Sequence, residues 1–396
     1  MRFLIAYKRS RLLPRAERNK RMPMRIIQIS GTKGKGSTST YLANIVSAAG
    51  YKCGLFVSPH IQREEERISI DGKCIPRKDL DRLLHEAEEP RYFQSFFKAC
   101  LAWFAENNVE VAVMETGLGG RKDPVTELDV CESILTHIGM DHMDLLGDTI
   151  QQIAMEKAMT IRPQGYVITM PQQEAVMRIF ESTCALLNAR LVKVKEKDIL
   201  MNADGSFDFQ EYTNMRIHAI GRRQYVNAVT AIVAARALYH VGVFIGAEDV
   251  RAGLAATYML ARQQYIEAKD ILVDGAHNLD SLQFLHETLK ESFAGREKVL
   301  LVSAMSNKDV SYLGKIAADE HARVIVSEMD YERCMRAEKL AELFTGASVV
   351  EVIPNVGEAF AAARRLAKES GAMIVIAGSL YLAGEILDLL KTEENA

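Results

Sequence analysis

The sequence predicts an α/β protein of two domains, each built on a mostly parallel sheet. From residue 25 to about residue 260, short apolar segments alternate with amphipathic helical patterns, and a second series of the same kind begins at Asp270. Strands that alternate with helices are typical of parallel, doubly wound sheets. The chain has 396 residues, which exceeds the size of a typical single hydrophobic core and favours two domains.

The expected strands are short runs rich in Val, Ile and Leu. We predict that the first domain covers residues 1–264 and that a smaller, Rossmann-like second domain covers residues 265–396. The strands expected in the first domain are Ile26–Ser30, Gly54–Val57, Glu110–Met114, Ser133–His137 and Tyr166–Thr169. The strands expected in the second domain are Ile271–Val273, Val299–Ala304, Val324–Val326, Val349–Val352 and Met373–Ala377.

The expected helices lie between these strands and repeat apolar residues every three or four positions. The section Phe207–Ile220 instead alternates like an antiparallel hairpin, and an Ala-rich helix follows it near Gln224–His240. The other helices expected in the first domain lie near Thr38–Ala49, Lys78–Glu88, Phe93–Asn107 and Thr149–Ala158. Those expected in the second lie near Ser281–Phe293, Val310–Ala318, Ala337–Phe344, Gly357–Ser370 and Tyr381–Leu390.

Composition indicates an ordinary globular protein, with 48% hydrophobic and 26% charged residues. No apolar run approaches the length of a membrane span, and a net charge of −3 gives no electrostatic reason to expect nucleic acid as a partner. The six cysteines form no CxxC pair, which argues against a disulfide framework and a zinc site. We therefore predict a cytoplasmic monomer that binds neither nucleic acid nor membrane.

The N-terminal segment, residues 1–24, is strongly basic. Nine Lys or Arg residues among the first 25 positions face one acidic residue, Glu17. Such a segment is compatible with a transit peptide, an arm that contacts phosphate, or a solvated helix. We favour the solvated helix because runs of charge usually have that role.

The strongest functional signal is the glycine-dense turn Gly31–Ser37, which joins the first expected strand to the first expected helix. Glycines allow successive backbone N–H groups to face an anion, and the helix that follows adds the positive end of its dipole. Lys35 supplies a mobile charge, and Ser37 or Thr38 can bind Mg²⁺. A flexible turn without a ligand is the alternative. The order of strand, lysine, hydroxyls and helix favours phosphate binding.

Other ionisable residues follow expected strands, where the sites of open α/β sheets lie. Glu115 ends an apolar strand, and a buried carboxylate is costly unless it meets a cation, a metal or several donors. Asp141–His142 follows another strand and either binds a ligand or forms a helix N-cap with a packed imidazole. Lys157 lies on the next helix, where a lone lysine is ordinarily a surface charge. Asp274–Asn278 follows the first strand of the second domain.

Several motifs are individually weak, but their order along the chain is specific. They are Gly31–Ser37, Ser58–His60, Glu66–Ile68, Glu115–Arg121, Asp141–His142, Glu156–Ala158, Asp274–Asn278 and Gly378–Gly384. With these motifs in this order, the chain resembles the folylpolyglutamate synthase/dihydrofolate synthase family of the Mur ligase superfamily. The resemblance extends from about Arg25 to Leu390.

The resemblance implies an ATP-dependent amide ligase. In this family a carboxylate attacks the γ-phosphate of ATP, and the amine of an incoming amino acid, usually L-glutamate, attacks the acyl phosphate that forms. The expected partners are therefore ATP, two Mg²⁺ ions, a small-molecule acid and an amino acid. The first domain would correspond to the ATP-binding central domain of Mur ligases, and the second would bind the amino acid.

The resemblance also assigns residues. ATP would contact Gly34, Lys35, Gly36, Ser37, Thr38, Asn227, Arg262 and Asp274. The magnesium ligands would be Ser37, Ser58, Glu115, His142 and Lys157, the last of them carbamylated as in the superfamily. The catalytic residues would be Lys35, His142, Lys157 and His277. The substrates would contact Arg91, Gln94, Arg121, Lys122, Asp123, His277, Ser379 and Tyr381.

The positions that would contact the acceptor acid depart from the family pattern. Arg91–Gln94 replaces Thr-x-Phe-Glu, which removes a carboxylate able to hydrogen-bond a pterin-like ring. Lys122–Thr126 replaces Leu-Asp-Ala-Thr-Asn, and Met259–Arg262 replaces Trp-Pro-Gly-Arg. The phosphate and metal motifs are intact.

Three functions are therefore open. The first is ligation of glutamate to a folate-type acceptor. The second is the same chemistry on a different carboxylic acid, since Arg91 and Lys122 would suit an acidic acceptor. The third is a nucleotide-binding protein that has lost catalysis, which the intact phosphate and metal motifs disfavour.

Overall fold

A computed structural model describes residues 24–394, which form two compact units. The first unit contains residues 24–217 and Arg223–Thr257, and the second contains His218–Arg222 and residues 258–394. The basic segment singled out in the sequence lies outside the described residues except at its end. Both units are α/β, which confirms the predicted fold class.

The first unit is built on an eight-stranded sheet. Its strands are β1 Arg25–Ser30, β2 Cys53–Phe56, β3 Ile68–Ile70, β4 Lys73–Cys74, β5 Val111–Glu115, β6 Val130–Leu135, β7 Tyr166–Thr169 and β8 Arg190–Lys193. The order across the sheet is β4-β3-β2-β5-β1-β6-β7-β8. The pairings from β2 to β8 are parallel, and β3 and β4 add an antiparallel edge. The central strands β1 and β5 are almost wholly buried, as expected of strands covered on both faces.

Eight helices belong to the described part of this unit. They are α1 Lys35–Ala48, α2 Arg77–Glu86, α3 Tyr92–Glu106, α4 Met143–Leu146, α5 Ile150–Ala158, α6 Glu174–Leu186, α7 Arg222–Ala237 and α8 Ala247–Ala255. One core cluster joins α2 and α3 to the β2 side of the sheet and includes Phe96 and Phe104. A second cluster joins α5 and α6 to β6 and β7 and includes Phe180.

A small three-stranded sheet also lies in the first unit. It contains β9 Ile199–Met201, β10 Phe207–Phe209 and β11 Tyr212–Met215, paired antiparallel in the order β11-β10-β9. The hairpin expected within Phe207–Ile220 is therefore confirmed, although it ends at Met215. The sequence analysis did not anticipate β9.

The second unit is built on a six-stranded sheet. Its strands are β12 Gln264–Ile266, β13 Ile271–Val273, β14 Lys298–Val302, β15 Arg323–Glu328, β16 Val349–Asn355 and β17 Met373–Ala377. Their order is β12-β13-β17-β14-β15-β16, and the β12–β13 pair is antiparallel whereas the others are parallel. The helices of this unit are α9 Leu279–Ser292, α10 Tyr312–Asp319, α11 Ala337–Ala341, α12 Val356–Ser370 and α13 Leu380–Glu394.

A helix that spans a membrane must be both long and predominantly apolar. None of them, within residues 24–394, is both long enough and apolar enough to cross a bilayer. This finding agrees with the absence of a long apolar run in the sequence.

The packing of Phe104 yields a prediction about stability. Its fully buried ring lies where a side chain on Gly54 of β2 would be, with an ideal Cβ only 2.5 Å from the ring. Phe104→Ala should lower the free energy of unfolding by about 3–5 kcal/mol, because it removes apolar contacts and leaves a cavity. Denaturant unfolding followed by circular dichroism measures this change.

Leu186→Ala is the matched control, since Leu186 is 85% exposed at the end of α6. Its effect should stay within about 0.5 kcal/mol. Equal unfolding midpoints for the two variants would contradict the packing described for Phe104.

Candidate functional site

The glycine-dense turn lies at the carboxyl end of β1 and leads directly into α1. Thr32 and Lys33 donate their backbone N–H groups to the carbonyl of His137, at 2.8 and 3.2 Å. Gly34 has a left-handed φ of +87°, and a Cβ there would lie 2.5 Å from Oδ1 of Asn227. The turn is therefore held against the loop that follows β6, and Gly34 allows the close approach of α7.

Lys35 and Glu115 face each other beside this turn. The Lys35 ammonium lies 3.9 Å from Oε1 of Glu115 and donates to the carbonyl of Thr32 at 3.3 Å. Glu115 is 3% exposed at the end of β5, and its Oε2 accepts the backbone N–H of Ser58 at 3.2 Å. The buried carboxylate thus has the cation and the donor that the sequence argument required.

Two hydroxyl residues occupy the first turn of α1. Ser37 and Thr38 are both buried. Within the described chain, Oγ1 of Thr38 has no hydrogen-bond partner. A buried hydroxyl without a partner is costly, so this end of α1 has unused capacity to bind a ligand atom.

Lys157 is buried, so the usual interpretation of a lone helical lysine as a surface charge is wrong here. It is 4% exposed on α5, and its Nζ donates to the carbonyl of Gly31 at 2.8 Å. Burial lowers the pKa of Lys157 to about 7, and the nearby charge of Lys35 adds to this effect. An amine with this pKa is substantially neutral at physiological pH.

His142 occupies the N-cap position of α4, but its imidazole is not packed. Its backbone has a left-handed φ of +51°, and its side chain is 48% exposed. The carboxylate of Asp141 accepts the His142 N–H at 3.0 Å and pairs with Lys33 at 3.1 Å. Asp141 therefore connects the backbone of His142 to the glycine-dense turn. The sequence analysis assigned no role to Lys33 and missed this ion pair.

Of the five predicted metal ligands, only Glu115 and His142 are acidic or imidazole side chains. Within residues 24–394, no three His, Cys, Asp or Glu side chains come together as a metal-binding group. The oxygen donors that are present, the buried Glu115 carboxylate and the hydroxyls of α1, nevertheless suit Mg²⁺. Magnesium commonly combines one or two protein ligands with phosphate oxygens and water, so these residues fit a Mg²⁺ bound together with a nucleotide.

The residues predicted to contact the acceptor occupy contrasting environments. Arg121 pairs with Glu156 at 2.6 Å, and Lys122 is exposed. Gln94 is partly buried near the start of α3. Arg91 pairs with Glu89 at 2.7 Å and lowers the pKa of that carboxyl to about 2.

Asp123 is buried and holds the backbone of its own loop. Oδ2 accepts the N–H groups of Gly117 and Leu118 at 2.8 and 3.2 Å, and Oδ1 accepts that of Val125 at 3.0 Å. Burial raises the pKa of Asp123 in spite of these bonds. Its visible role is therefore to shape the loop that follows β5.

A further group near this region was absent from the predicted site residues. Arg67 is buried, donates to Nδ1 of His60 at 3.0 Å, and lies 5.1 Å from the ring centres of both Tyr92 and Phe96. The motifs Ser58–His60 and Glu66–Ile68 contained the signal, because they place both residues beside a strand end.

In the second unit, the polar residues follow β13 and β17. Asp274 accepts the N–H groups of Gln263 and Ala276, at 2.8 and 2.7 Å. This fixes the backbone beside Arg262, which precedes β12. His277 lies within hydrogen-bond distance of the Gly275 carbonyl, with Nδ1 at 2.7 Å.

Ser379 and Tyr381 follow β17 at the start of α13. Ser379 is buried, and its hydroxyl accepts the Tyr381 N–H at 3.1 Å. The N–H of Gly378 donates to Ala276 at 2.8 Å, and Leu380 fills the space that a side chain on Gly275 would need. The loops after β13 and β17 are thus in direct contact, and they bring the neighbourhoods of His277 and Ser379 together.

Comparison with protein families identifies both halves of the chain. Residues 29–235 match the Mur ligase middle domain, and residues 261–380 match the Mur ligase glutamate ligase domain. The chain belongs to the Mur ligase family. This confirms the resemblance inferred from the motifs, and it makes the protein an ATP-dependent ligase.

Several relatives are similar to this chain over more than nine-tenths of its length. The dihydrofolate synthase/folylpolyglutamate synthase of Bacillus subtilis is 29% identical over 395 residues, covering 93% of this chain and 91% of that protein. The folylpolyglutamate synthase of Lacticaseibacillus casei is 28% identical over 396 residues, covering 92% and 90%. The folylpolyglutamate synthase of Mycobacterium tuberculosis, solved with ADP and AMPPCP, has a TM-score of 0.83, 26% identity and coverage of 92% and 91%.

The contact between Gly34 and Asn227 of this Mur ligase gives a testable prediction. Gly34→Ala should weaken ADP binding by about tenfold or more, because a left-handed alanine is strained by about 1–2 kcal/mol and its Cβ would displace Asn227. Isothermal titration of ADP measures this effect.

The control is Gly205→Ala, which carries the same backbone strain at φ +78° but has no atom within 4 Å of the added Cβ. It should bind ADP like the wild type. Normal ADP affinity in Gly34→Ala would remove this turn from the nucleotide site.

Proposed function

We propose that this ligase joins L-glutamate to a folate-type carboxylic acid, with ATP as the energy source. The observation that carries the proposal is the convergence of Lys35, Glu115 and Lys157 on the turn that follows β1. The cation can compensate charge on a transferred phosphoryl group, the buried carboxylate can hold Mg²⁺, and an amine with a pKa of about 7 is open to carbamylation.

The proposed reaction has two steps. An oxygen of the acceptor carboxylate attacks the γ-phosphorus of ATP, the bond to the bridging oxygen breaks, and ADP leaves. The amine of glutamate then attacks the acyl carbon of the acyl phosphate, phosphate leaves with the electrons of the C–O bond, and the new amide nitrogen loses a proton. Negative charge on the transferred phosphoryl group must be compensated throughout the first step.

The residues around the turn divide this work. The Gly34–Ser37 backbone and the positive end of α1 would bind the phosphates, and Lys35 would compensate charge on the γ-phosphoryl group. Asn227 would contact the nucleotide from α7. In this proposal Mg²⁺ would be held by Ser37, Ser58, Glu115 and His142, and when bound it would neutralise phosphate charge.

Lys157 has a separate proposed role. A buried ammonium beside two magnesium ions would be repelled, whereas a carbamylated lysine carries a negative charge and can act as an oxygen ligand. The lowered pKa supports this modification, because only the neutral amine reacts with CO₂. The hydrogen bond from Lys157 to the carbonyl of Gly31 holds the amine at the start of the glycine-dense turn.

The incoming amino acid is proposed to bind at the carboxyl edge of the second sheet. His277, Ser379 and Tyr381 lie on two loops that contact each other. The match of this unit to the glutamate ligase domain supports glutamate as the amino acid. In this proposal His277 would lie near the incoming amine.

A different acceptor acid is a second candidate. Gln94 cannot supply the carboxylate that the family pattern has there, and Lys122 brings an exposed positive charge. Arg91 contributes less to this argument than its sequence position suggested, because Glu89 already pairs with it. The similarity to folylpolyglutamate synthases over the whole chain supports the folate-type acceptor over this alternative.

A comparison of acceptors tests the function. Wild-type enzyme with ATP and labelled glutamate should convert tetrahydrofolate into a product heavier by one glutamyl residue, with release of ADP. Lys35→Ala and His142→Ala should each lower this rate at least about a hundredfold, because each removes a transition-state charge partner. Product mass and ADP release are the measurements, and near-normal turnover in either variant would reject the assigned site.

The same assay should show weak use of dihydropteroate, because Gln94 leaves a heterocycle with an unmatched hydrogen-bond partner. A kcat/KM for dihydropteroate on the order of 10⁴ M⁻¹s⁻¹ or higher would contradict this expectation. Turnover of simpler acids without turnover of folates would instead establish the second candidate.

Carbamylation of Lys157 has its own test. With ¹³C-labelled bicarbonate, a carbamate signal should appear in the NMR spectrum and grow as the pH rises from about 6 to 8, since the neutral amine fraction increases through the pKa of about 7. Lys157→Ala should lack the signal, lose ligase activity, and recover part of it with added short carboxylates. A wild-type spectrum without a carbamate signal across this pH range would refute the modification.

A further inference from the structure

The second unit contains a cluster of side chains in which Tyr381 alone belongs to the motifs and to the proposed amino-acid site. The tyrosine–arginine cluster consists of Tyr331 and Arg333, in the turn after β15, and Tyr381, in the first turn of α13. The rings of Tyr331 and Tyr381 are stacked with centroids 4.6 Å apart and planes at 25°. The Arg333 guanidinium lies 5.7 Å from the centre of the Tyr331 ring and donates to its hydroxyl at 3.2 Å.

The position of the cluster relates it to the predicted amino-acid site. Tyr381 is two residues from Ser379 and follows β17, while Tyr331 follows β15, and a single strand, β14, separates β17 from β15. The stacked rings therefore connect two loops at the carboxyl edge of the sheet. This is the edge on which His277 and Ser379 lie.

The backbone that carries Arg333 is firmly anchored. Arg333 accepts the N–H of Ser306 at 2.9 Å through its carbonyl, and Met335 donates to Ala304 at 2.8 Å. Residues Met305 and Cys334 thus form an antiparallel bridge between this turn and the segment after β14. A guanidinium on an anchored turn loses less conformational entropy when it binds a ligand.

The polar contacts of Arg333 are unusual for a surface arginine. Asp330 and Glu332 are close in sequence, yet within the described residues Arg333 makes no ion pair, and its polar contact is with the Tyr331 hydroxyl. Arg336, three residues later, instead pairs with Glu328 at 3.0 Å. The hydrogen bond from Arg333, with a smaller contribution from Tyr381, lowers the pKa of Tyr331. The guanidinium is thus oriented by an aromatic ring rather than neutralised by a carboxylate.

These observations indicate the chemistry of a ligand. An oriented guanidinium without a carboxylate partner matches a carboxylate, to which it can donate two parallel hydrogen bonds. The N-terminus of the 15-residue helix α13 lies beside Tyr381 and adds a positive potential at the same place. On this edge, the carboxylate-bearing compound that the ligase needs is the incoming amino acid.

We propose that Arg333, oriented by Tyr331 and Tyr381, binds a carboxylate of the incoming amino acid and so contributes to the selection of glutamate. This inference rests on the proposed function. Arg333 is a specificity residue and Tyr331 is a positioning residue that acts through it. Tyr381, which belongs to the proposed amino-acid site, holds the Tyr331 ring by stacking. The α-carboxylate and the side-chain carboxylate share the required chemistry, so the experiment distinguishes them.

The test compares Arg333→Met with wild type in two assays. The KM for L-glutamate in the ligase reaction, and the dissociation constant for L-glutamate measured by calorimetry, should both rise about tenfold or more, because charge-assisted hydrogen bonds are lost. The KM values for ATP and for the acceptor should stay within about twofold. Tyr331→Phe, which keeps the ring and removes the hydroxyl, should show a smaller rise.

Two amides identify the carboxylate. L-Glutamine lacks the side-chain carboxylate, and isoglutamine lacks the α-carboxylate. The compound without the carboxylate that Arg333 contacts should bind wild type and Arg333→Met equally weakly. The other should lose affinity in the variant as glutamate does.

Arg323→Met is the matched control. Arg323 begins β15 at the opposite end of the same strand and pairs with Glu297, so its loss should leave every KM unchanged. An unchanged glutamate affinity in Arg333→Met, or an equal rise in the KM for the acceptor, would overturn the inference.

The same assays would give different results if the proposed function, rather than the role of Arg333, were wrong. Wild type that binds glutamate through Arg333 but ligates it to no acceptor would refute the function and retain the binding site. Wild type that neither binds nor ligates glutamate would refute both.

Discussion

The buried hydrogen bond from Lys157 to the carbonyl of Gly31 is the contact on which the first unit's site depends. It connects α5 to the turn that leaves β1, and it places an amine where burial disfavours a positive charge. The turn is held on its other side by the carbonyl of His137. A turn held both by α5 and by the loop after β6 has little freedom to rearrange, which favours preorganised binding of a ligand.

The same arrangement explains why a positive environment is tolerated. Lys33, Lys35 and Lys157 all lie around one turn, and each has a separate means of compensation. Lys33 pairs with Asp141, Lys35 faces Glu115, and Lys157 has a lowered pKa. Because these compensations are local, the three lysines share one turn without a single large ion-pair network.

Much of the fold could be predicted from the sequence, because strands buried on both faces read as uninterrupted β-branched runs. The predicted bounds of β7, β13 and β17 agree with the structure. The β3–β4 edge was missed, since its strands have three and two residues and lack a clear alternation. The strand β8 was also missed, since it is partly exposed and polar at both ends. The helix α6, which precedes it, was missed as well.

Site residues could be predicted where an ionisable side chain directly follows an apolar strand. They were harder to predict where side chains meet across loops. Glu115 could be singled out because a carboxylate ended an apolar run. The ring contacts of Arg67, the Lys33–Asp141 pair and the Asp123 bonds to its own loop depend on tertiary packing that no local pattern encodes. The burial of Lys157 belongs to the same class, since its helix shows no sequence feature that distinguishes a buried lysine from a surface one.

The close packing of Gly275 against Leu380 has a consequence for how such an enzyme can diverge. Any side chain at Gly275 would push apart the loops after β13 and β17, so substitutions in either loop are constrained by the other. The turn after β15 is joined to its neighbours through backbone bonds and stacked rings, which leave its outward side chains replaceable. Under the proposed role of Arg333, new amino-acid preferences would therefore arise more readily by changes in that turn than in the two loops that the family motifs mark.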